Sequence, residues 1–183
     1  IREHTGVDIT GMDEEALRAV CKQLEIEVDE TMGKGKLIDE IFGEKCEKHY
    51  IQPTFITDYP IEMSPLCKRH RNNPELTERF ELMVNGKELC NAYSELNDPI
   101  DQLNRFVEQQ QMRDAGDEEA MMLDIDFVEM LEYGMPPACG WGFSERVFWI
   151  FEGVTAREGV PFPQLRSEMD GTTRAIYADV KLG

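Results

Sequence analysis

Asn91, Tyr93 and Glu95 occupy alternate positions within Gly86-Lys-Glu-Leu-Cys-Asn-Ala-Tyr-Ser-Glu-Leu-Asn-Asp-Pro99. Side chains alternate faces along a strand, so these three project from one face of an extended segment. An amide, an aromatic ring and a carboxylate make a poor core surface. They make a good wall for a pocket that holds a cation on an apolar stem. The opposite face carries Cys90, Ala92 and Ser94, all small. Two further carboxylates, Glu81 and Glu88, flank Asn85-Gly86. Asn-Gly between apolar runs signals a hairpin, which draws the two glutamates together from opposite strands. Close carboxylates repel unless a cation or a proton sits between them. Hard oxygen donors suit Mg²⁺, which takes one or two carboxylates together with substrate phosphates. Two solvated glutamates on an exposed hairpin fit the same pattern, and both readings stay open.

The elements that must position these groups follow from periodicity. Phe80 to Leu96 reads as the hairpin and its continuing strand. Asp98-Pro99 reads as a helix start, with Asp98 as N-cap and Pro99 at the first helical position. That helix runs to Asp114, with Ile100, Leu103, Phe106, Val107 and Gln110 facing inward. A second helix spans Asp124 to Tyr133, burying Phe127, Met130 and Leu131, and Met121, Met122, Met130 and Met135 read as fillers of core gaps. Gly140 to Ser144 reads as a strand and Arg146 to Phe151 as an apolar helix. Upstream, Leu17, Val20, Cys21 and Leu24 recur at helical spacing within Asp13 to Leu24. Glu25 to Gly35 is an acidic loop. Lys36 to Tyr50 is a helix with Leu37, Ile41, Phe42 and Cys46 on one side. Ile51 to Thr57 is a strand that Pro53 places near an edge or a bulge. Ser64 to Pro74 reads as a solvated basic loop, and a flexible element near a nucleotide is the other reading of Lys68, Arg69 and Arg71.

Several segments together resemble the class II lysyl-tRNA synthetase family. Gly33-Lys-Gly-Lys-Leu-Ile-Asp-Glu-Ile-Phe, Ile51-Gln-Pro-Thr-Phe-Ile-Thr-Asp-Tyr-Pro and Ser64-Pro-Leu-Cys-Lys resemble its central segments. Phe80 to Asp98 resembles its substrate-binding hairpin and strand. Asp114-Ala-Gly-Asp-Glu-Glu-Ala and Tyr133-Gly-Met-Pro-Pro resemble the approach to motif 3. Gly140-Trp-Gly-Phe-Ser-Glu-Arg resembles motif 3 itself, and Pro161-Phe-Pro-Gln-Leu-Arg the closing segment.

The resemblance implies an α+β fold: a mainly antiparallel sheet of the class II synthetase type with flanking helices, incomplete here. It implies a helical insertion segment over 1–50, the C-terminal part of the catalytic domain over 51–166, and a tail of unknown origin over 167–183. The implied activity is a lysine-specific aminoacyl-tRNA ligase, which makes lysyl-adenylate from ATP and lysine and passes the lysyl group to tRNA(Lys). Glu95 would pair with the lysine ammonium, Tyr93 would stack on its stem, and Asn91 would orient the amino acid or ATP. Glu81 and Glu88 would hold Mg²⁺ on the ATP phosphates. Arg146 would serve catalysis by contacting the terminal phosphate of ATP, with Gly140 and Gly142 letting the nucleotide come close. The implied partners are lysine, ATP, tRNA(Lys) and a second copy of the parent enzyme.

The chain departs from the family pattern in two respects. No Phe-Arg-x-Glu occurs, so the motif 2 arginine that would hold the α-phosphate is missing, as are motif 1 and the anticodon-binding barrel. The isolated chain is therefore expected to be inactive, and a catalytically silent lysine-binding or interaction module is the alternative. Motif 3 is shortened, because Ser144 directly follows Gly140-Trp-Gly-Phe. Composition sets further bounds. The formal net charge is −18, which opposes nucleic-acid binding because that rests on Lys and Arg, so tRNA affinity should be weak. The N-terminal Ile1-Arg-Glu-His carries no apolar run, and no stretch approaches the ~20 apolar residues of a membrane span. Five scattered cysteines without C-x-x-C spacing fit reduced thiols in a cytoplasm and argue against zinc. His4, His49 and His70 read as surface residues.

Overall fold

The computed structural model describes residues 1–117, 120–164 and 170–176. The chain divides into two units, Ile1–Ser144 and Glu145–Gly183. The first contains helices α1 (Arg2–Thr5), α2 (Glu14–Gln23), α3 (Lys34–Lys45), α4 (Pro99–Asp114) and α5 (Ile125–Glu132). Its strands are β1 (Thr54–Thr57), β2 (Arg69–His70), β3 (Asn73–Thr77), β4 (Arg79–Val84), β5 (Lys87–Ser94) and β6 (Cys139–Phe143). The second unit contains α6 (Arg146–Glu152), α7 (Ala156–Gly159) and α8 (Gly171–Ile176). The fold class is α+β, with an open antiparallel sheet ordered β1-β4-β5-β6 and a small β2-β3 hairpin.

The Asn85-Gly86 turn sets the sheet. Both residues have positive φ, 52° and 66°, as a two-residue type I′ turn requires. The turn pairs Val84 with Lys87 and Met83 with Glu88. Continued unchanged, that register would set Glu81 opposite Cys90 and put Asn91 on the other face. A bulge intervenes at Leu82/Met83, so Leu82 pairs with Cys90, Glu81 with Asn91 and Arg79 with Tyr93. A one-residue slip reverses facing. This one brings Glu81, Glu88, Asn91 and Tyr93 onto the same face.

Local signals account for the helix starts. Asp13 accepts from the Ala16 amide, Asp98 from Ile100 and Asp101, and Asp124 from Phe127. Each satisfies donors that an uncapped helix would leave open. Leu17, Val20, Cys21, Leu37, Ile38 and Ile41 form a buried cluster between α2 and α3, closed by Ile26. Helix α3 begins at Lys34 and gives way to a 3₁₀ turn over Glu47–His49, and β1 begins only at Thr54. Residues 50 and 51 instead back the hairpin turn, their carbonyls accepting from Gly86 and Asn85.

Three expectations need correction. On α4, Ile100, Leu103 and Val107 are 72%, 36% and 38% exposed, whereas Gln102, Arg105 and Phe106 are buried. The reason is the 64–67 segment, whose carbonyls need donors. Arg105 Nη1 donates to the Ser64 and Cys67 carbonyls at 3.1 and 2.7 Å, and Gln102 Nε2 donates to Pro65 at 3.1 Å. On α5, Val128 and Leu131 are buried while Met130 is exposed, and Met122 is exposed as well. These two methionines fill no core gap. Phe127 lies edge-on to Phe106 at 5.8 Å. The basic stretch is solvent-exposed at Arg69 and Arg71, as expected, but it is not all loop. It forms β2 and the start of β3, with Arg69 paired to Asp101, Arg71 to Glu78, and Lys68 hydrogen-bonded to Asn97.

All five cysteines are free thiols, and Cys139 alone of them is exposed. Among the described residues no helix is long and apolar enough to cross a membrane. In the second unit, Thr155 and Glu158 form a reciprocal capping box at α7. Helix α6 buries none of its residues, and Phe148 and Phe151 are exposed. Arg166 lies outside the described residues, as does most of the 167–183 tail.

Candidate functional site

Cross-strand pairing builds the site in two rows. Ile56, Glu81, Asn91 and Gly142 are successive partners across β1, β4, β5 and β6, and Arg79, Tyr93 and Gly140 form the next row. Directly paired residues share a face. Thus Asn91 and Tyr93, two alternate residues of one strand, stand among groups contributed by three others.

The Glu81 carboxylate has two defined partners. Arg79 Nη2 donates to Oε1 at 2.6 Å and the Tyr59 hydroxyl donates to Oε2 at 2.7 Å. Arg79 Nε donates to Asn91 Oδ1 at 3.2 Å, and Nη1 donates to the Met63 carbonyl and to Ser64 Oγ, each at 3.0 Å. The guanidinium also stacks 4.5 Å from the centre of the Tyr59 ring. Burial pushes the Tyr59 phenol far up, and the nearby charge of Glu81, its hydrogen bond and the charge of Glu88 add to the push. Tyr59 is therefore a permanent donor. The sequence reading missed both residues. Arg79 carried a signal, standing two positions before Glu81 on an otherwise apolar strand. Tyr59 carried none, because 22 residues separate it from its partner.

Glu95 is different. Its backbone leaves β5, donating to the Ala138 carbonyl at 3.0 Å and bridging to Cys67. Its carboxylate has no ion-pair or hydrogen-bond partner among the described residues, and burial raises its pKa. Burial also raises Tyr93, with the Glu95 charge next in size, so ring and carboxylate are close neighbours. The carboxylate lies over Gly140: a Cβ built there would collide with Glu95 Oε1. The missing side chain at Gly140 leaves room for Glu95. Gly142 has open space above it, its nearest neighbour being the Asn91 carbonyl oxygen at 4.0 Å.

The oxygen donors suit a divalent cation. Glu81 and Glu88 share the face that the bulge creates, and both press on Tyr59. A carboxylate has about four acceptor sites, so Glu81 keeps capacity beyond its two hydrogen bonds. No cluster of three or more His, Cys, Asp or Glu side chains suited to a metal occurs among the described residues. The pair therefore fits an ion that brings ligands with it, as Mg²⁺ does with phosphates. Beside Glu81 lies a cavity of about 290 Å³, lined by Tyr59, Arg79 and the Gly35, Lys36 and Asp39 side of α3. Arg146 opens α6 in the second unit.

A family model for class II tRNA synthetases (D, K and N) matches residues 2–166. A lysine–tRNA ligase of Porphyromonas gingivalis is 65% identical over 170 residues, covering 92% of this chain and 29% of that protein. One from Christiangramia forsetii is 61% identical over 170 residues, with 92% and 30% covered. One from Azobacteroides pseudotrichonymphae is 60% identical, with 92% and 34% covered. The chain spans about a third or less of the length of these relatives.

Proposed function

The chain belongs to the class II tRNA synthetases (D, K and N), and from that premise we propose that it carries the lysine-recognising part of a lysine–tRNA ligase. The reaction of the parent enzyme is attack by the lysine carboxylate on the α-phosphorus of ATP, with pyrophosphate leaving. The lysyl group then passes from the adenylate to the 3′ end of tRNA(Lys). The parent works in the cytoplasm as a homodimer. This acidic part of it adds little to tRNA affinity.

The observation that supports this reading is the unpartnered Glu95 carboxylate, seated over Gly140 beside Tyr93. A partly desolvated carboxylate without a cation of its own selects a ligand that brings one. Tyr93 offers a ring for the tetramethylene stem of lysine, and Asn91, held through its Oδ1 by Arg79, keeps its amide N–H free for the ligand. Glu81 and Glu88 would hold Mg²⁺, which when bound offsets phosphate charge. Arg146 would serve the terminal phosphate, since guanidinium forks match phosphate oxygens. Gly142 leaves open surface for the nucleotide.

Calorimetric titration of the whole chain with L-lysine tests the reading. Measurable affinity is expected, with none for norleucine, which lacks the ammonium. Glu95→Gln should lower lysine affinity by about thirtyfold, since removing one partner of a desolvated charge pair costs ~2 kcal/mol or more. Unchanged affinity in Glu95→Gln rejects the assignment. Lysine-dependent pyrophosphate–ATP exchange should be absent, because no Phe-Arg-x-Glu supplies the α-phosphate arginine.

A further inference from the structure

We propose that Asn97 is a positioning residue: its side-chain amide brackets the chain around Glu95 and so fixes how long a cationic side chain the pocket accepts. The inference rests on the reading of Glu95 as the partner of the lysine ammonium.

Glu95 to Asn97 continue the chain beyond the end of β5 at Ser94. They run between two other segments, 66–68 on one side and 135–138 on the other. Hydrogen bonds alternate between the two. The Glu95 N–H donates to the Ala138 carbonyl and the Leu96 N–H to the Leu66 carbonyl, each at 3.0 Å. Asn97 reaches both sides at once. Its Oδ1 accepts from Lys68 Nζ at 3.0 Å, and its Nδ2 donates to the Met135 carbonyl at 3.1 Å. An ammonium only donates and a carbonyl only accepts, so the orientation of the amide is fixed.

The sequence explains why a side chain takes this part. Pro136 and Pro137 carry no N–H. The 135–138 segment therefore lacks two donors of an ordinary ladder, and its carbonyls depend on donors from the segment beside it. The Glu95 backbone supplies one and the Asn97 amide another. An aspartate at 97 would set an oxygen against the Met135 carbonyl, and an apolar residue would tie neither side.

The bracket bears on the ligand through Glu95. No partner among the described residues holds that carboxylate, so its place comes from its backbone. It lies over Gly140, two residues past Ala138, so the carboxylate and the floor beneath it share one tie. A carboxylate held at one height beside Tyr93 meets the ammonium of one stem length. Ornithine, shorter by a methylene, falls short of it, whereas a mobile carboxylate follows either ammonium. One methylene separates two ligands by about ten- to two-hundredfold in a fixed pocket.

Calorimetric titration of the full chain with L-lysine and L-ornithine tests this, together with native-state hydrogen exchange at the Glu95 amide. The parent should prefer lysine by at least about tenfold. In Asn97→Ala, lysine affinity should fall by about tenfold and ornithine affinity by less than about threefold, which narrows the preference. The Glu95 amide should exchange about tenfold faster. The Gly86 amide, bonded to the Tyr50 carbonyl at the hairpin turn, should keep its rate. A merely structural role would weaken both ligands alike. An unchanged lysine-to-ornithine ratio, or an unchanged exchange rate at Glu95, overturns the proposal. Should Asn97→Ala fail to fold, Asn97→Asp decides. It keeps the acceptor for Lys68 and loses the donor for Met135, so the ratio should narrow, and an unchanged ratio overturns the proposal. A parent chain that binds neither amino acid rejects the assigned function and the length rule with it, and the exchange rate at Glu95 then judges the bracket by itself.

Discussion

The two faces of the four-stranded sheet obey different rules. On one, Glu81, Asn91 and Arg79 are locked by hydrogen bonds to Tyr59, Met63 and Ser64. On the other, Phe55, Leu82, Cys90 and Phe143 form one cross-strand row, and Thr57, Phe80, Ala92 and Trp141 form the next. That second face stands open, with Phe55, Trp141 and Phe143 exposed by 62%, 68% and 50%. Its rings meet in the edge-on pairs Phe55–Phe80 and Trp141–Phe143. Polar groups meant for chemistry need fixed orientation, so their supports are built into the same unit. Apolar rings need only cover, and an open aromatic patch marks a contact surface. The polar face fixes its own side chains by hydrogen bonds; the aromatic face holds its rings by edge-on contact alone.

Arg105 offers the hardest blow to the supported face. It is buried on α4 and holds the carbonyls of Ser64 and Cys67 as well as Asp101. Arg105→Ala should cost about 3 kcal/mol in urea unfolding, since it leaves the buried Cys67 carbonyl without its donor, takes one of two donors from the Ser64 carbonyl and one of two guanidinium partners from Asp101. Lysine binding should go with it, because Ser64 steadies Arg79 and Cys67 pairs with Glu95. Gly140→Ala sharpens the contrast by separating binding from stability. The added methyl meets only the flexible end of Glu95, so unfolding should shift by less than about 1 kcal/mol while lysine affinity falls by about tenfold. The smallest effect is expected on the open face. Joint replacement of Phe55 and Trp141 by serine should leave lysine affinity within about twofold and stability within about 1 kcal/mol. A loss of lysine binding there would erase the distinction between the faces.

The sequence revealed the site unevenly. Asn91 and Tyr93 were visible as partners because strand alternation is a property of the chain itself. Glu81 and Glu88 were visible as neighbours through Asn85-Gly86. That Asn91 joins Glu81 was not visible, because the bulge that aligns them reflects packing along the whole strand. Helix α4 misled for a related reason. Its apolar stripe of Ile100, Leu103 and Val107 has the spacing of a core face, yet Gln102 and Arg105 turn inward because a distant segment needs their donors. The sequence marked Gly140 for a nucleotide; the structure adds that Glu95 lies over it.

Features decided by near neighbours were settled by the amino-acid order alone: aspartate caps at Asp13, Asp98 and Asp124, the tight turn at Asn85-Gly86, the alternation along β5 and the family itself. Each depends on atoms a few residues apart, whose geometry the backbone transmits unaided. Tertiary structure alone decided the rest: the slip that merges two pairs of polar groups into one face, the capture of Glu81 by Tyr59 and Arg79, and the seat of Glu95 over Gly140. Those arrangements depend on burial and on partners far along the chain. Their energies exist only once the surrounding surfaces have closed.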